Sequence, residues 1–358
     1  MFKLKCDDFL IYDEATGTYS MSAEQKVRDE TERNRWKTTG FTLLKDWRLY
    51  LMLLPMLLVY LLWKYLPMYE LTAAFKFGPA SNPSERPWAG IYAFQTIFTG
   101  SESTNFWMAF RNTFILAFYG LLFGFPTPII LALFFNEVRS NVARSIMQVC
   151  VYIPKFISTV IVTSLTVLLF QGTTGGTQVG VVSKLLGAIS SSSTLHNRLD
   201  AGLVYSSEYF RAIYIVTDIW EHAGYDSIVF FAAVIAVSPT SYEAAQIDGA
   251  GKMAQMRYVV LPSILSTVII MLIMKIGGLL SVGYEKLYLL VPNNTIGNYK
   301  VAEVVSTWSN RLSEAPVPKG TQDQAFGIAG EMTNNLIGMI LVIGSNTIAR
   351  KVSDVSLY

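Results

Sequence analysis

The sequence predicts an all-α integral membrane protein with six transmembrane helices. Composition, run length and charge placement carry this reading. The 358 residues are 52% hydrophobic and only 15% charged, where soluble domains average about 25% charge. Six runs approach the ~20 apolar residues needed to cross hydrocarbon, and separate apolar runs cross as helices because a helix satisfies its own backbone groups. Basic residues flank the runs unevenly, which sets an orientation. A net charge of +2 leaves no nucleic-acid footprint. Cys6 and Cys150 read as free thiols, not a disulfide framework. Residues 1–20 hold acids and no apolar core before a cleavage site, which argues against a cleavable leader.

Residues 1–46 are polar and mixed in charge, and read as a solvated cytoplasmic tail. A polar helix over Ser22 to Trp36 fits their pattern. The body, 47–349, holds the spans, and 350–358 form a short polar tail. The first span runs from about Tyr50 to Ala74, with Pro55 and Pro67 tolerated because neighbours re-satisfy freed carbonyls. A Pro/Gly/Ser-rich packed loop fills 76–107. The second span, about Asn112 to Phe135, contains Gly124-Phe-Pro-Thr-Pro128, the mark of a kink or close contact. A turn with Arg139 and Arg144 leads to the third span, about Ile146 to Phe170. Residues 171–207 are Gly/Ser/Thr-rich without phosphate-loop spacing, and read as a flexible loop. The fourth span, about Phe210 to Val237, is the most polar. The fifth covers about Val259 to Val282, a loop spans 284–324, and the sixth covers about Phe326 to Ile348. Arg139, Arg144, Lys252, Arg257, Arg350 and Lys351 then share the cytoplasmic side with both termini.

Between the fourth and fifth spans lies a polar segment, 239–258. Pro239 suits a first helical turn. Thr240 and Glu243 have capping-box spacing. Asp248-Gly249 interrupts the helix, because glycine readily takes positive φ and aspartate favours turns. A second piece, Lys252 to Tyr258, leads into Leu261-Pro262. The product is helix, elbow, helix, with Ala244 and Ala245 forming a narrow face suited to a groove.

Glu243-Ala-Ala, then Gly249, then Val259-x-Leu261-Pro262 reproduce the E-A-A-x3-G-x9-I-x-L-P signature with one conservative change, Val259 for isoleucine. The chain thereby resembles permease subunits of bacterial ABC importers. Lys64-Tyr-Leu-Pro-Met-Tyr69, Phe123-Gly-Phe-Pro126, Tyr152-Ile-Pro154 and Lys275-Ile-Gly-Gly278 look like the branch importing complex sugars and polysaccharide fragments. The resemblance covers about residues 47–358, and the 46-residue tail exceeds the family pattern. It implies a type I importer permease fold in a bacterial cell membrane, with Glu243, Ala244, Ala245, Asp248, Gly249, Ala250, Leu261 and Pro262 as the ATPase-coupling segment. It also implies a second homologous permease, an ATPase dimer carrying ATP and magnesium, and an extracellular solute-binding protein. The chain has no phosphate loop, so no cofactor and no catalytic residue is expected in it. The competing reading, a secondary transporter or channel for a small polar solute, has no use for an ATPase dock. A membrane enzyme lacks its nucleophile, base or metal constellation. Two histidines, one in a loop, make a metal site unexpected.

Polar groups at membrane depth mark a transport path. Asp218, Glu221, His222, Tyr225 and Asp226 form one helical stripe. Counting about 1.5 Å per residue places Lys275 and Glu221 at similar depth. Two readings of Lys275 follow: a structural ion pair with Glu221 or Asp218, or a contact, with Lys155, to an anionic sugar. Tyr152, Phe156, Trp220, Tyr225, Ser281 and Tyr284 complete the path candidates as aromatic faces and hydrogen-bonding groups.

Overall fold

A computed structural model describes residues 10–13, 18–21, 47–76, 87–172, 180–189, 199, 202–291, 299–314 and 320–352. The proposed helix over 22–36 lies outside them. The chain divides into two compact units, Met1–Glu70 and Leu71–Tyr358. In the first, β1 (Leu10–Asp13) pairs antiparallel with β2 (Thr18–Met21) in the register Leu10 to Met21. The tail therefore contains a hairpin that its mixed charge did not announce. Helix α1 (Trp47–Phe75) carries an apolar stretch with none of its side chains buried. A helix apolar all round and exposed all round needs a lipid solvent.

The second unit is helical among the described residues: α2 (Tyr92–Thr99), α3 (Ser103–Glu137), α4 (Asn141–Phe156), α5 (Thr159–Phe170), α6 (Val181–Ile189), α7 (Phe210–Ile235), α8 (Pro239–Ile247), α9 (Lys252–Ser263), α10 (Leu265–Gly277), α11 (Tyr284–Leu290), α12 (Tyr299–Ala302), α13 (Val305–Glu314) and α14 (Gly320–Val352). Three helices, α1, α3 and α14, are long and apolar enough to cross a membrane unbroken. The other spans are bent: α4 meets α5 at 97°, α7 meets α8 at 69°, and α9 meets α10 at 63°.

Proline explains much of this. Wide, π-helical turns occur at Leu61–Tyr65, Gly120–Gly124 and Met256–Val260. Each ends two residues before a proline: Pro67, Pro126 or Pro262. Proline donates no N–H and its ring crowds the preceding turn, so the ladder widens ahead of it. At Pro67 and Pro262 the shift is explicit: Leu66 donates to the Leu61 carbonyl and Leu261 to the Met256 carbonyl. The α4–α5 break follows Pro154: Ile157 donates its N–H to the Pro154 carbonyl at the end of α4, and Ser158 accepts from Val160 at the start of α5.

Several expected loops are helical. The 76–107 stretch contains α2 and the start of α3, nine residues ahead of the expected Asn112. Residues 103–111 mix Phe106 and Trp107 with polar groups, and an apolar-run reading stops short of them. The 171–207 stretch contains α6, and 284–324 contains α11, α12 and α13. The fifth span ends at Gly277, not Val282, and breaks at Ile264.

Helix α7 is the hub. It packs against the second half of α3 and against α4. At Gly224 an added Cβ would sit 2.0 Å from the Val151 carbonyl oxygen, so only glycine permits this crossing. Away from the elbow, Leu116, Phe210, Tyr214, Leu287 and Leu290 form one core. A second joins Phe106, Trp308, Phe326 and Ala329. Between these elements Asn112, fully buried, donates to the Lys300 and Glu303 carbonyls at 2.9 Å each and accepts from Arg211 at 2.9 Å. One amide thus satisfies α3, α7 and the segment after α12 together.

Gly224→Ala tests the crossing. Helix propensity alone favours alanine by about 1 kcal/mol, whereas overpacking costs about 1–3 kcal/mol or more. The clash should win: thermal denaturation in detergent, read by size exclusion, should show a lower midpoint. Gly344→Ala, where a Cβ meets open space, should not lower it.

Candidate functional site: charged cavity and helical elbow

A cavity of about 340 Å³ opens between α3, α5, α7, α10 and α11. Its wall contains Lys155, Asp218, Glu221, His222, Lys275, Ser281, Glu285 and Lys286. Periodicity positions the α7 contribution, since 218, 221 and 222 recur on one face. Of the predicted path residues, Lys155, Asp218, Glu221, Lys275 and Ser281 line this cavity. Tyr152 instead packs edge-on against Phe135, with centroids 6.2 Å apart. Phe156 and Tyr225 meet edge to face at 6.2 Å, and Trp220 is half exposed. Tyr284 stacks on Tyr288 at 5.4 Å and hydrogen-bonds Asn310.

The expected ion pair of Lys275 with Glu221 or Asp218 is not formed. Lys275 lies 3.9 Å from Asp226, in a pair that is substantially exposed. Glu221 is taken by Lys286, 3.0 Å away, with both side chains 5% exposed. Lys286 also lies 3.7 Å from Asp218 and 5.5 Å from the centre of the Tyr214 ring. Lys286 was overlooked because Tyr284 to Leu290 read as loop. The available signal was a Glu285-Lys286 pair opening a helix-length run that is otherwise Tyr and Leu after Gly283. Asp218, Glu221 and His222 bring ligand atoms within 4.8 Å of one another, a spacing that suits a cation. The chain supplies one itself, in the Lys286 ammonium. Lys155 differs: among the described residues it has no ion-pair partner, although it faces the same cavity.

The elbow is built as expected in its backbone. Ser238 precedes α8, with Pro239 at its first position. Gly249 adopts φ +75°, a left-handed conformation that favours glycine. Asp248 closes α8 by donating its N–H to the Ala244 carbonyl, and Ala250 donates to the Ala245 carbonyl at 2.9 Å. The capping box is not made. Thr240 Oγ1 pairs with Ser238 Oγ at 2.7 Å, and Pro239 has no N–H to be capped. Glu243, Ala244 and Ile247 are exposed on α8, and Met253 and Tyr258 on α9. Leu261 and Pro262 are also exposed, at the wide turn that joins α9 to the break at Ile264.

Inward, the elbow is keyed to the bundle. Val234, Val237, Val260 and Ile264 form a small core, with Leu133, Tyr242 and Val268 packed against it. That core joins α3, α7, α8, α9 and α10. The Tyr242 hydroxyl is buried, faces the Asn136 side chain and completes no hydrogen bond. Burial pushes this phenol above its ordinary value, so it stays neutral.

Lys286→Met should destabilise the fold by about 3–5 kcal/mol, because it strands a buried carboxylate. Adding Glu221→Leu should recover much of that. Lys275→Met should cost about 0–1 kcal/mol, as exposed pairs do. Thermal denaturation of the variants in nanodiscs checks all three.

With this geometry established, comparison with known proteins is informative. The pattern of the family described as binding-protein-dependent transport system inner membrane component matches residues 124–282, from the kink of α3 through the elbow to just beyond the fifth span. Protein LplB of Bacillus subtilis is 34% identical over 315 residues, 88% of this chain and 92% of that protein. The polygalacturonan/rhamnogalacturonan transport system permease protein YteP of Bacillus subtilis is 35% identical over 328 residues, 91% of this chain and 95% of that one. The crystal structure of a bacterial ABC transporter involved in the import of the acidic polysaccharide alginate contains a chain that superposes with TM-score 0.74 at 35% identity, covering 88% of this chain and 99% of its own. Coverage of both partners is nearly complete, so the shared fold is the whole membrane unit and not one motif. This chain belongs to the family of binding-protein-dependent transport system inner membrane components.

Proposed function

We propose that this chain is the membrane-spanning permease subunit of an ATP-driven importer for an oligosaccharide or polysaccharide fragment. The observation that carries the reading is the elbow: an exposed Glu243-Ala244 helix, locked by Gly249 and packed through Tyr242 onto three spans. A transport path with its own coupling ion needs no such external lever, which disfavours the secondary transporter and the channel. The relatives supply the substrate class, since one is named for polygalacturonan and rhamnogalacturonan, and the structural match for alginate.

The assembly in this reading contains a second, homologous permease, a dimer of cytoplasmic ATPases holding ATP and magnesium, and an extracellular solute-binding protein. A solved alginate transporter in complex with an oligosaccharide-bound periplasmic protein, 34% identical over 88% of this chain, supports the last partner. Arg139, Arg144, Lys252, Arg257, Arg350 and Lys351 favour an elbow on the cytoplasmic side with both termini. ATP-driven closure moves the grooves that hold Glu243, Ala244, Ala245, Asp248, Gly249 and Ala250. Leu261-Pro262 and the break at Ile264 pass that motion to α10, which carries Lys275 to the cavity. The sugar passes the cavity formed by Lys155, Asp218, Glu221, Lys275 and Ser281. Tyr152, Phe156, Trp220, Tyr225, Asp226 and Tyr284 lie outside its lining. Lys155, a cation with no ion-pair partner among the described residues, and Lys275, with a long one, are the groups for a sugar carboxylate.

Glu243→Lys should abolish co-purification with the partner ATPase and ATP-driven uptake into proteoliposomes, while the melting temperature stays unchanged. Retained association and uptake would overturn the docking assignment. Lys155→Met and Lys275→Met should shift preference from acidic toward neutral oligosaccharides by about tenfold, the worth of a charge-assisted hydrogen bond, measured by uptake competition.

A further inference from the structure

The elbow grips the end of α3 on both sides of its bend. Lys252, the first residue of α9, forms an ion pair with Glu137, the last residue of α3. Tyr242, on α8, lies against Asn136, the residue before. Arg144 of α4 donates to the Val138 carbonyl at 2.7 Å, and its guanidinium lies 6.0 Å from the Phe231 ring centre on α7. Three neighbouring residues, Asn136, Glu137 and Val138, thus receive one contact from each limb of the elbow and one from α4.

Both charges of the pair are locally misplaced. Glu137 sits at a helix C-terminus, where the partial negative charge of the dipole repels a carboxylate. Lys252 sits at a helix N-terminus, where the partial positive charge repels an ammonium. Neither helix gains from its own residue, and the two placements become favourable only when joined. Chains that break a local rule without local benefit do so at functional positions.

Resting on the importer reading above, we propose that Glu137 and Lys252 form a second transmission point of the coupling elbow, delivering its displacement to α3 while Leu261-Pro262 delivers it to α10. The cavity is lined from both: Leu116, Ala117 and Gly120 come from α3, and Lys275 from α10. Pulling both walls together changes the width of the path, whereas pulling α10 alone tilts one wall. Gly120 and Leu121 open the wide turn of α3 and themselves line the cavity, so the turn lies where the displaced helix meets the path. Glu137 and Lys252 are positioning residues, since neither lines the cavity.

The test uses the complete importer, with its second permease, ATPase and binding protein, in proteoliposomes. Glu137→Lys and Lys252→Glu should each keep ATPase docking and hydrolysis yet lower substrate molecules moved per ATP by about two- to fivefold, the range of an exposed pair. The exchanged pair, Glu137→Lys with Lys252→Glu, should return that ratio toward wild type. Lys252→Gln gives the same reading where reversal impairs folding. A merely structural pair would lower yield or melting temperature and leave the ratio unchanged, which overturns the proposal. So does an exchanged pair that fails to restore the ratio. A wild type without ATP-driven uptake would overturn the importer reading instead.

Discussion

Backbone hydrogen bonding inside hydrocarbon is the constraint on which the rest depends. Every N–H and carbonyl there must find a partner within the protein, and helices are the local solution. Proline breaks that solution by withdrawing a donor. The chain responds at Pro67, Pro126 and Pro262 with a wide turn two residues ahead. After Pro154 it responds with a complete break, restarted by Ser158. The same economy explains Asn112, which closes the carbonyls of residues 300 and 303 that no helix satisfies. The kinks place compliant points along α1, α3 and the fifth span without leaving backbone groups exposed to lipid.

Charge follows a parallel logic. An ionised side chain at membrane depth is expensive unless paired or wet. Glu221 and Lys286 meet this by pairing with each other, at a site fixed by the Leu287–Leu290 core below. Among the described residues Lys155 has no ion-pair partner, and Lys275 pairs only at 3.9 Å, so their cost is met by the open cavity they face. One polar cavity therefore contains two kinds of charge: those that hold α7 to α11, and those that face its open space.

The elbow joins these systems. Its backbone is set by Pro239 and Gly249, and its inner face by a core that touches three spans. Its outer face, with Glu243, Ala244 and Ile247, is exposed. Packed on one side and exposed on the other, it has the form that the proposed docking requires.

The sequence by itself determined the fold class, the approximate spans and the elbow, because these rest on local properties: apolar run length, proline and glycine conformations, and the fixed spacing from Glu243 to Pro262. Tertiary structure decided what pairs with what. Lys286, not Lys275, neutralises Glu221, because residues 284–290 fold as a helix that packs back on α7, and no periodicity within that segment reveals a partner 65 positions away. The capping box failed for a local reason: the helix begins at Pro239 with Ser238 before it, so Thr240 lies inside the first turn and its hydroxyl pairs with that of Ser238. The helices at 92–99, 181–189 and 305–314 were missed because they are short and mixed in polarity, stabilised by packing such as that of Trp308 on Gly330 and not by their own pattern. The Glu137–Lys252 pair was likewise invisible, since its two members look misplaced until the fold brings their helix ends together.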